Sequence, residues 1–574
     1  QAAAQPAPVR IYRDELGLPH VFADTDAGVF RGLGYSQARD FPVATLANLW
    51  SGTGRFAEIA GPSVLARDER MRQWGFDRRA HELATEPDAL DARAKEWLQA
   101  YVDGVNEGRR WWLAHPSSFD ALVGAKGELF FDPVPQWLHP QLTPKGDDPR
   151  ARLQRLFELE VGLEHVLAFG LTLAAGPEFG GAGQGRTNVW AMRSTKGVPA
   201  TWFLADVHQP LQEYGYRSYF VQLAGPSYDL VGYTSPGFPC VVMGANRSLA
   251  FGSMTLPKTP RELAAAKVPF RIDEQTPVVS SAWSAKLQPG EPACLVRGTE
   301  RLGLESQGVT LRAFDSAKKS LVDDPRGPLT LRWVVDGALR LPLVAPRPSE
   351  PLVLAAGPTI RYEARSFLTQ RSLWETWMNL GLCKGATGGA EGAWKALERE
   401  GLATGRGQLF LDADVTGNFG FLWSTRAPVL SEKARGLAGS EFDGNDAQLA
   451  WRDFHGFEAL PRLATLANPT VPAWIVCNSS PHFLAPSTQL PASVAPEIFD
   501  GRPWKTLRQD RARELFERAN ADGKLEAREL ERMALDVQDQ WSRANWPRLS
   551  ALRLDAETPL SERARRFVEW LELY

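Results

Sequence analysis

The chain is short of cysteine, of concentrated positive charge and of long apolar runs, and each shortage removes a class of function. Its four cysteines in 574 residues, Cys240, Cys294, Cys383 and Cys477, lie far apart, with no Cys-x-x-Cys pair and no Cys/His cluster. Zinc and redox motifs are therefore absent, and the thiols read as buried apolar side chains with at most one disulfide. Lys and Arg number 65 against 68 Asp and Glu, a net charge of −3, and no basic run interrupts the mixture. Neither nucleic acid nor an anionic membrane is an expected partner. No apolar stretch reaches the roughly 18 residues that span a bilayer. The nearest, Val161 to Gly176, contains Glu164 and His165 and reads as a buried helix.

Material for a core is plentiful. Hydrophobic residues make up 44% of the chain and tryptophan occurs 20 times, enough for more than one buried layer. The opening "QAAAQPAPVR" has no Met and is rich in Ala and Pro, as expected where a secretory signal has been removed, which predicts a periplasmic or secreted protein. At the other end Phe567, Trp570, Leu571 and Tyr574 follow i, i+3, i+4, i+7 with no cap after them. That pattern predicts a helix and a polypeptide that continues, so that the 187–574 segment is truncated.

The texture changes along the chain. Val9 to Ala23 is strand-like. From about 28 to 175 helical periodicity dominates, as in "EWLQAYVDGVNEGRRWWL", where Trp97, Tyr101 and Val105 share a face with Leu98 and Val102 beside them. Residues 1–175 form one helical segment. The stretch 176–186, "GPEFGGAGQGR", has five glycines and little to bury, so it reads as an exposed connector open to cleavage. From Thr187 onward short β-branched and aromatic runs, "NVWAM", "ATWFLAD", "SYFVQLAG", "CVVMGAN" and "AWIVC", predict a large antiparallel sheet system. Helix returns after about Trp504.

Several motifs fail on inspection. The G-x-G-x-G of 181–185 lacks the Lys and Ser/Thr of a phosphate loop and precedes a strand instead of a helix. "RANADGKLEARE" imitates a calcium loop, but Arg518 at the first ligand position repels a cation, leaving a turn between helices. "HELAT" has no second His, and there is no G-x-S-x-G elbow.

Ordered pieces along the chain carry a stronger signal. "VRIYRDELGLPHVFADTDAGVFRGLGYSQARDF", "GTGRFAEIAG", "YVDGVNEG", "TNVWAMRSTKGVPATWFLADVHQP", "PGFPCVVMGANRSLAFG", "FLDADVTGNFGFL", "WRDFHGFEALPRLA" and "CNSSPHF" occur in sequence. Together they resemble the penicillin acylase family of N-terminal nucleophile hydrolases, from residue 9 to the end. The resemblance implies an α+β fold, an αββα sandwich of two antiparallel sheets flanked by helices. It also implies that the precursor cuts itself between Arg186 and Thr187, giving an α and a β chain that stay together as an intramolecular heterodimer.

The resemblance assigns roles residue by residue. Thr187 becomes the nucleophile, with its own α-amine as base, a group whose ordinary pKa of about 7.7–8.0 lies near working pH. The side-chain amide of Asn478 and the backbone N–H of Thr255 form the oxyanion hole. His208 stands beside the nucleophile, Arg508 near the amine, Asn188 behind Thr187, and Met243 in the acyl pocket. The usual family nucleophile is Ser, and the extra methyl of Thr restricts χ1. The family's calcium carboxylates are replaced by Thr259 and Glu262 in "SMTLPKTPRE", so no cofactor is required and calcium is left open. The expected activity is hydrolysis of a small N-acyl amide. Acyl-homoserine lactones, β-lactam amides and natural-product amides all fit. An acyltransferase or cyclase using the same acyl-Thr187, and a non-catalytic homologue that never matures, are the alternatives.

Overall fold

The computed structural model describes residues 8–122, 149–175, 186–194, 196, 201–208, 218–255, 280–287, 294–297, 299–337, 339–343, 359–365, 374, 378, 382, 408–414, 419–424, 429–436, 442–443, 446–451, 453–460, 462–465, 473–477, 480–483 and 507–536. The chain starts as an antiparallel hairpin, Val9–Arg13 against Pro19–Ala23. Asp14 shapes its turn: one carboxylate oxygen accepts from the N–H of Leu16 (3.0 Å) and of Leu18 (2.8 Å). Thr25 then caps helix Asp26–Asp40, accepting from the N–H of Gly28.

That helix lies in backbone contact with helix Ala92–Ala114, whose cap is Asp91. Two glycines permit the approach. A Cβ on Gly34 would fall 2.2 Å from the carbonyl oxygen of Tyr101, and one on Gly104 would fall 1.9 Å from that of Arg31. The apolar face read from the sequence points inward as expected, with Trp97, Leu98, Tyr101, Val102 and Val105 all buried. Helix Leu163–Ala175 is likewise packed into the core through Val166, Leu167 and Phe169.

Among the described residues the largest sheet has nine strands. Its order is Val9–Arg13, Pro19–Ala23, Tyr219–Ala224, Asp229–Thr234, Met243–Ala245, Leu249–Thr255, Gln408–Asp414, Phe419–Ser424 and Arg462–Thr465. Pairing is antiparallel except where Pro19–Ala23 runs parallel to Tyr219–Ala224, with His20 opposite Gln222. One face, carrying Val21, Val221, Leu223 and Leu230, packs on the helical segment through Val29, Phe30 and Leu33.

The other face meets a second sheet of four strands, ordered Ser480–Phe483, Ala473–Cys477, Arg186–Arg193 and Thr201–His208. The contact is close because Gly252 has no side chain there: a Cβ would lie 2.9 and 3.0 Å from the two γ-methyls of Val189 and 3.5 Å from Phe203. The far face of the four-stranded sheet carries Trp190, Met192, Ala473 and Ile475. It packs on helices Leu507–Ala519 and Ala527–Ala534 through Ala512, Phe516, Leu530 and Met533. The chain is thus a mixed α and β protein with several largely antiparallel sheets.

A third, seven-stranded sheet occupies most of 280–365, with Phe442–Asp443 added in parallel to Ser280–Leu287. Trp333 docks it on the helical segment, its indole lying 3.1 Å from where a Cβ of Gly75 would be. The Arg78 guanidinium stacks 4.6 Å from the ring centroid of Trp333 and pairs with Glu305 at 2.5 Å.

Candidate functional site

Thr187 is the second residue of strand Arg186–Arg193, at the centre of the four-stranded sheet. Alternation along that strand sorts its residues: Val189 and Ala191 enter the main core between the sheets, whereas Trp190 and Met192 enter the core under the two outer helices. Thr187 shares the parity of Val189, two positions from the contact with Gly252.

The neighbouring strands carry the other expected residues. On one side the ladder pairs Arg186 with His208, Thr187 with Val207 and Asn188 with Asp206. On the other it pairs Asn188 with Cys477. The backbone therefore brings Thr187 and His208 onto adjacent strands, one register step apart. Arg186, read with the glycine-rich segment, is already in the ladder, so the bond between Arg186 and Thr187 lies inside the strand. Asn478 follows Cys477 in sequence and lies outside the described residues. So do 176–185, Thr259, Glu262, Cys383 and the helix expected at 567–574.

Asn188 is buried, 6% exposed, and its Nδ2 donates to Asp206 Oδ2 at 3.3 Å. This bond ties strand Arg186–Arg193 to Thr201–His208 from within. Thr255 ends strand Leu249–Thr255, the strand that carries Gly252, and pairs with Gln408. Met243 begins strand Met243–Ala245, is 8% exposed and lies opposite Tyr233.

Arg508 falls in the first turn of helix Leu507–Ala519, which packs behind the four-stranded sheet. The helix is anchored by a residue that the sequence did not single out. Arg511 donates through Nε and Nη2 to both carboxylate oxygens of Asp536 (3.0 and 2.6 Å) and pairs with Glu514 at 3.0 Å. Hydrogen bonding to Asp536 raises the Arg511 pKa and keeps it charged.

The helical segment also reaches the site through a polar contact that was not foreseen. Gln37, fully buried, accepts at Oε1 from Tyr101 Oη (2.6 Å) and from the N–H of Gly237 (2.9 Å). Its Nε2 donates to the carbonyls of Ser235 (3.2 Å) and Phe238 (3.4 Å), and Asn48 Nδ2 donates to that of Pro236 (2.9 Å). These bonds fix the loop "SPGFP" just before Met243. The available signal was the sequence "GLGYSQARD", in which a polar Gln sits on a face otherwise made of glycine and apolar residues. Among the described residues, no group of three His, Cys, Asp or Glu side chains is placed to hold a metal ion.

Comparison with known proteins adds the following. The chain matches the family described as Penicillin amidase over residues 8–277 and 392–572. The unmatched stretch between them contains six strands of the seven-stranded sheet. A curated relative, the penicillin acylase 2 proenzyme of Pseudomonas sp. (strain SE83), is 27% identical over 268 residues, 41% of this chain and 34% of that one. The acyl-homoserine lactone acylase QuiP of Pseudomonas fluorescens (strain Pf0-1) is 24% identical over 314 residues, 48% of this chain and 38% of that one. The aligned part thus spans little more than a third of the length of these relatives. Among solved structures, a thermostable penicillin G acylase from Alcaligenes faecalis superposes with a TM-score of 0.42 at 14% identity, covering 67% of this chain and 59% of that one. That superposition is too loose to bear on the fold.

Proposed function

Because the chain belongs to the penicillin amidase family, we propose that it is a self-processing N-acyl amide hydrolase with Thr187 as its nucleophile. The observation that carries this reading is the placement of Thr187 on a central strand, with His208 on the adjacent strand and Cys477, the residue before Asn478, beside Asn188. In this reading the two facing sheets and the helices outside them are the αββα sandwich of an N-terminal nucleophile hydrolase.

Maturation comes first. The Thr187 hydroxyl attacks the Arg186 carbonyl, the peptide C–N bond breaks as an ester forms, and water hydrolyses the ester to leave a free α-amine on Thr187. The helical and sheet segments then remain associated through their common core. In turnover that amine takes the Oγ1 proton, Oγ1 bonds to the substrate carbonyl, and the amide C–N bond breaks as the leaving nitrogen receives the proton. Water, deprotonated by the same amine, cleaves the acyl ester and restores the hydroxyl. Asn478 and the N–H of Thr255 stabilise the oxyanion, an interaction worth about 2.7–4 kcal/mol per donor. Arg508 and His208 set the charge and orientation around the amine. The substrate is a small molecule, and the enzyme acts in the periplasm or outside the cell.

The test is turnover of a chromogenic N-acyl anilide. Thr187→Ala should remain uncut and lose at least about a thousandfold in kcat/KM, whereas Thr187→Ser should still mature and turn over. Equal activity in Thr187→Ala and the unaltered protein would remove Thr187 from the chemistry.

A further inference from the structure

Residues 235–242 leave one strand of the nine-stranded sheet, Asp229–Thr234, and enter the next, Met243–Ala245. The register shows where this loop arrives. Strand Met243–Ala245 runs antiparallel to Leu249–Thr255, with Ala245 opposite Ala250 and Gly244 opposite Phe251. The residues before Gly244 therefore lie beside those after Phe251, and the loop enters the sheet on the Thr255 side of its neighbour. Gly252, between Phe251 and Thr255, is the residue that touches Val189, two positions from Thr187.

A side chain of the helical segment grips this loop. Gln37 commits its whole amide to it and to one tyrosine: Oε1 accepts from the N–H of Gly237 and from Tyr101 Oη, and Nε2 donates to the carbonyls of Ser235 and Phe238. Three of the four bonds thus end on loop backbone. Gly237 takes φ +89°, and a Cβ there would come within 3.3 Å of Asn48 Cβ, Phe169 Cε1 and the carbonyl oxygen of Thr45. The loop therefore lies flat against helices Pro42–Ser51 and Leu163–Ala175 and cannot shift inward. From the sheet, Thr234 Oγ1 donates to the Phe238 carbonyl (2.9 Å) and the N–H of Val242 to that of Tyr233 (2.8 Å). The grip of Gln37 is carried in this way to the start of strand Met243–Ala245. Gln37 precedes the Arg186–Thr187 bond and the loop follows it, so after cleavage the same bonds join two chains.

We propose that Gln37 is a positioning residue for the reaction: through loop 235–242 it fixes the strand that ends at Thr255 relative to the strand that carries Thr187. The inference rests on the acylase reading for the roles of Thr187 and Thr255, and on the hydrogen bonds of Gln37 for the grip. A catalytic donor works only when held within about 0.5 Å of its productive place. An oxyanion donor also acts on the transition state and not on the bound amide. Loss of Gln37 therefore lowers kcat and leaves KM nearly as it was. A role confined to stability changes neither constant once the folded fraction is counted.

The test replaces two buried amides of the helical segment by leucine. Asn106 is the control: it is also buried and bonds the backbone of Val161 twice, through Nδ2 to the carbonyl (2.7 Å) and through Oδ1 from the N–H (3.0 Å), without touching the sheet loop. Both Gln37→Leu and Asn106→Leu should lower the urea midpoint. With an N-acyl p-nitroanilide, and counting only folded, cleaved protein, kcat should fall about tenfold in Gln37→Leu with KM within about twofold. In Asn106→Leu kcat should stay at the parent value. Asn48→Ala, which releases the Pro236 carbonyl of the same loop, should show the same fall in smaller measure and serves where Gln37→Leu does not fold. An unchanged kcat in the loop variants, or an equal fall in Asn106→Leu, would overturn the proposal. A parent protein that hydrolyses no anilide refutes the acylase reading instead, and amide hydrogen exchange then decides the grip. Faster exchange at Met243–Ala245 and Leu249–Thr255 in Gln37→Leu than in Asn106→Leu upholds it, and equal exchange overturns it.

Discussion

Substituting Gly252 with Ala should strain the contact between the two sheets where strand Arg186–Arg193 crosses it. The added Cβ would lie 2.9 and 3.0 Å from the two γ-carbons of Val189, well inside van der Waals contact. Rotating χ1 exchanges one methyl for another, so the valine cannot turn away. Its backbone is held on both sides, opposite Ala205 and Val476, and Gly252 is held opposite Leu411. The sheets must therefore separate by a few tenths of an ångström, and overpacking of this kind costs about 1–3 kcal/mol. Replacing Gly also removes freedom from the unfolded chain, which offsets about 0.4–1 kcal/mol. The expected net loss is ~1–2 kcal/mol, read as a lower urea midpoint at unchanged slope. Val189→Ala removes the methyls that clash, so the double variant should be less damaged than the sum of the two single ones by at least about 1 kcal/mol. Strict additivity, or a Gly252→Ala protein as stable as the parent, would refute the close contact.

Further predictions concern the helical segment and the outer helix. Burial pushes the Asp68 carboxyl up to about 7, although the N–H of Ala57 donates to it at 2.6 Å, while burial and then the charge of Arg55 push His165 down to about 4. Asp68 favours the fold at low pH and loses that contribution as pH rises from 3.8 to 7; His165 favours it above 6.5 and loses its contribution as pH falls toward 4. The two slopes oppose each other, so stability should vary little between pH 4 and 6.5, and Asp68→Asn should expose a rise of up to about 3 kcal/mol with pH over that window. Denaturant titrations at several pH values check this, and an equally flat profile in Asp68→Asn would contradict it. Arg511→Ala leaves Asp536, 16% exposed on its side chain, without its guanidinium. It should cost about 1–3 kcal/mol and raise hydrogen exchange in helix Leu507–Ala519 before the sheets are affected; unchanged exchange there would show that the pair does not anchor the helix.

The parts legible in the sequence were those with local causes. The period of Trp97, Tyr101 and Val105 gave a helix and its buried face, and "RANADGKLEARE" is a turn between helices, with Gly523 at φ 82° and its carbonyl accepting from Lys196. The β-branched runs after Thr187 are strands. What local pattern could not supply was partnership across distance. Nothing around Pro19–Ala23 announces a parallel partner 200 residues later, and the separate seven-stranded sheet is composed like the others. Gly252 looks like an ordinary strand glycine until Val189 is placed against it. Gln37 acquires meaning only when the "SPGFP" loop closes over it. Of the expected site residues, Thr187, Asn188 and His208 lie on two paired strands, and Thr255 and Met243 on two neighbouring strands of the facing sheet, which meets the first at Gly252 and Val189.

The most direct measurement of the central claim is intact mass together with N-terminal sequencing of the purified protein. Two chains that divide between Arg186 and Thr187 are expected, the second beginning Thr-Asn-Val-Trp and gaining the mass of the acyl group when a slowly hydrolysed ester or amide is added. A single uncut chain that nevertheless hydrolyses N-acyl amides would contradict that claim, because Thr187 would then have no free amine to serve as base.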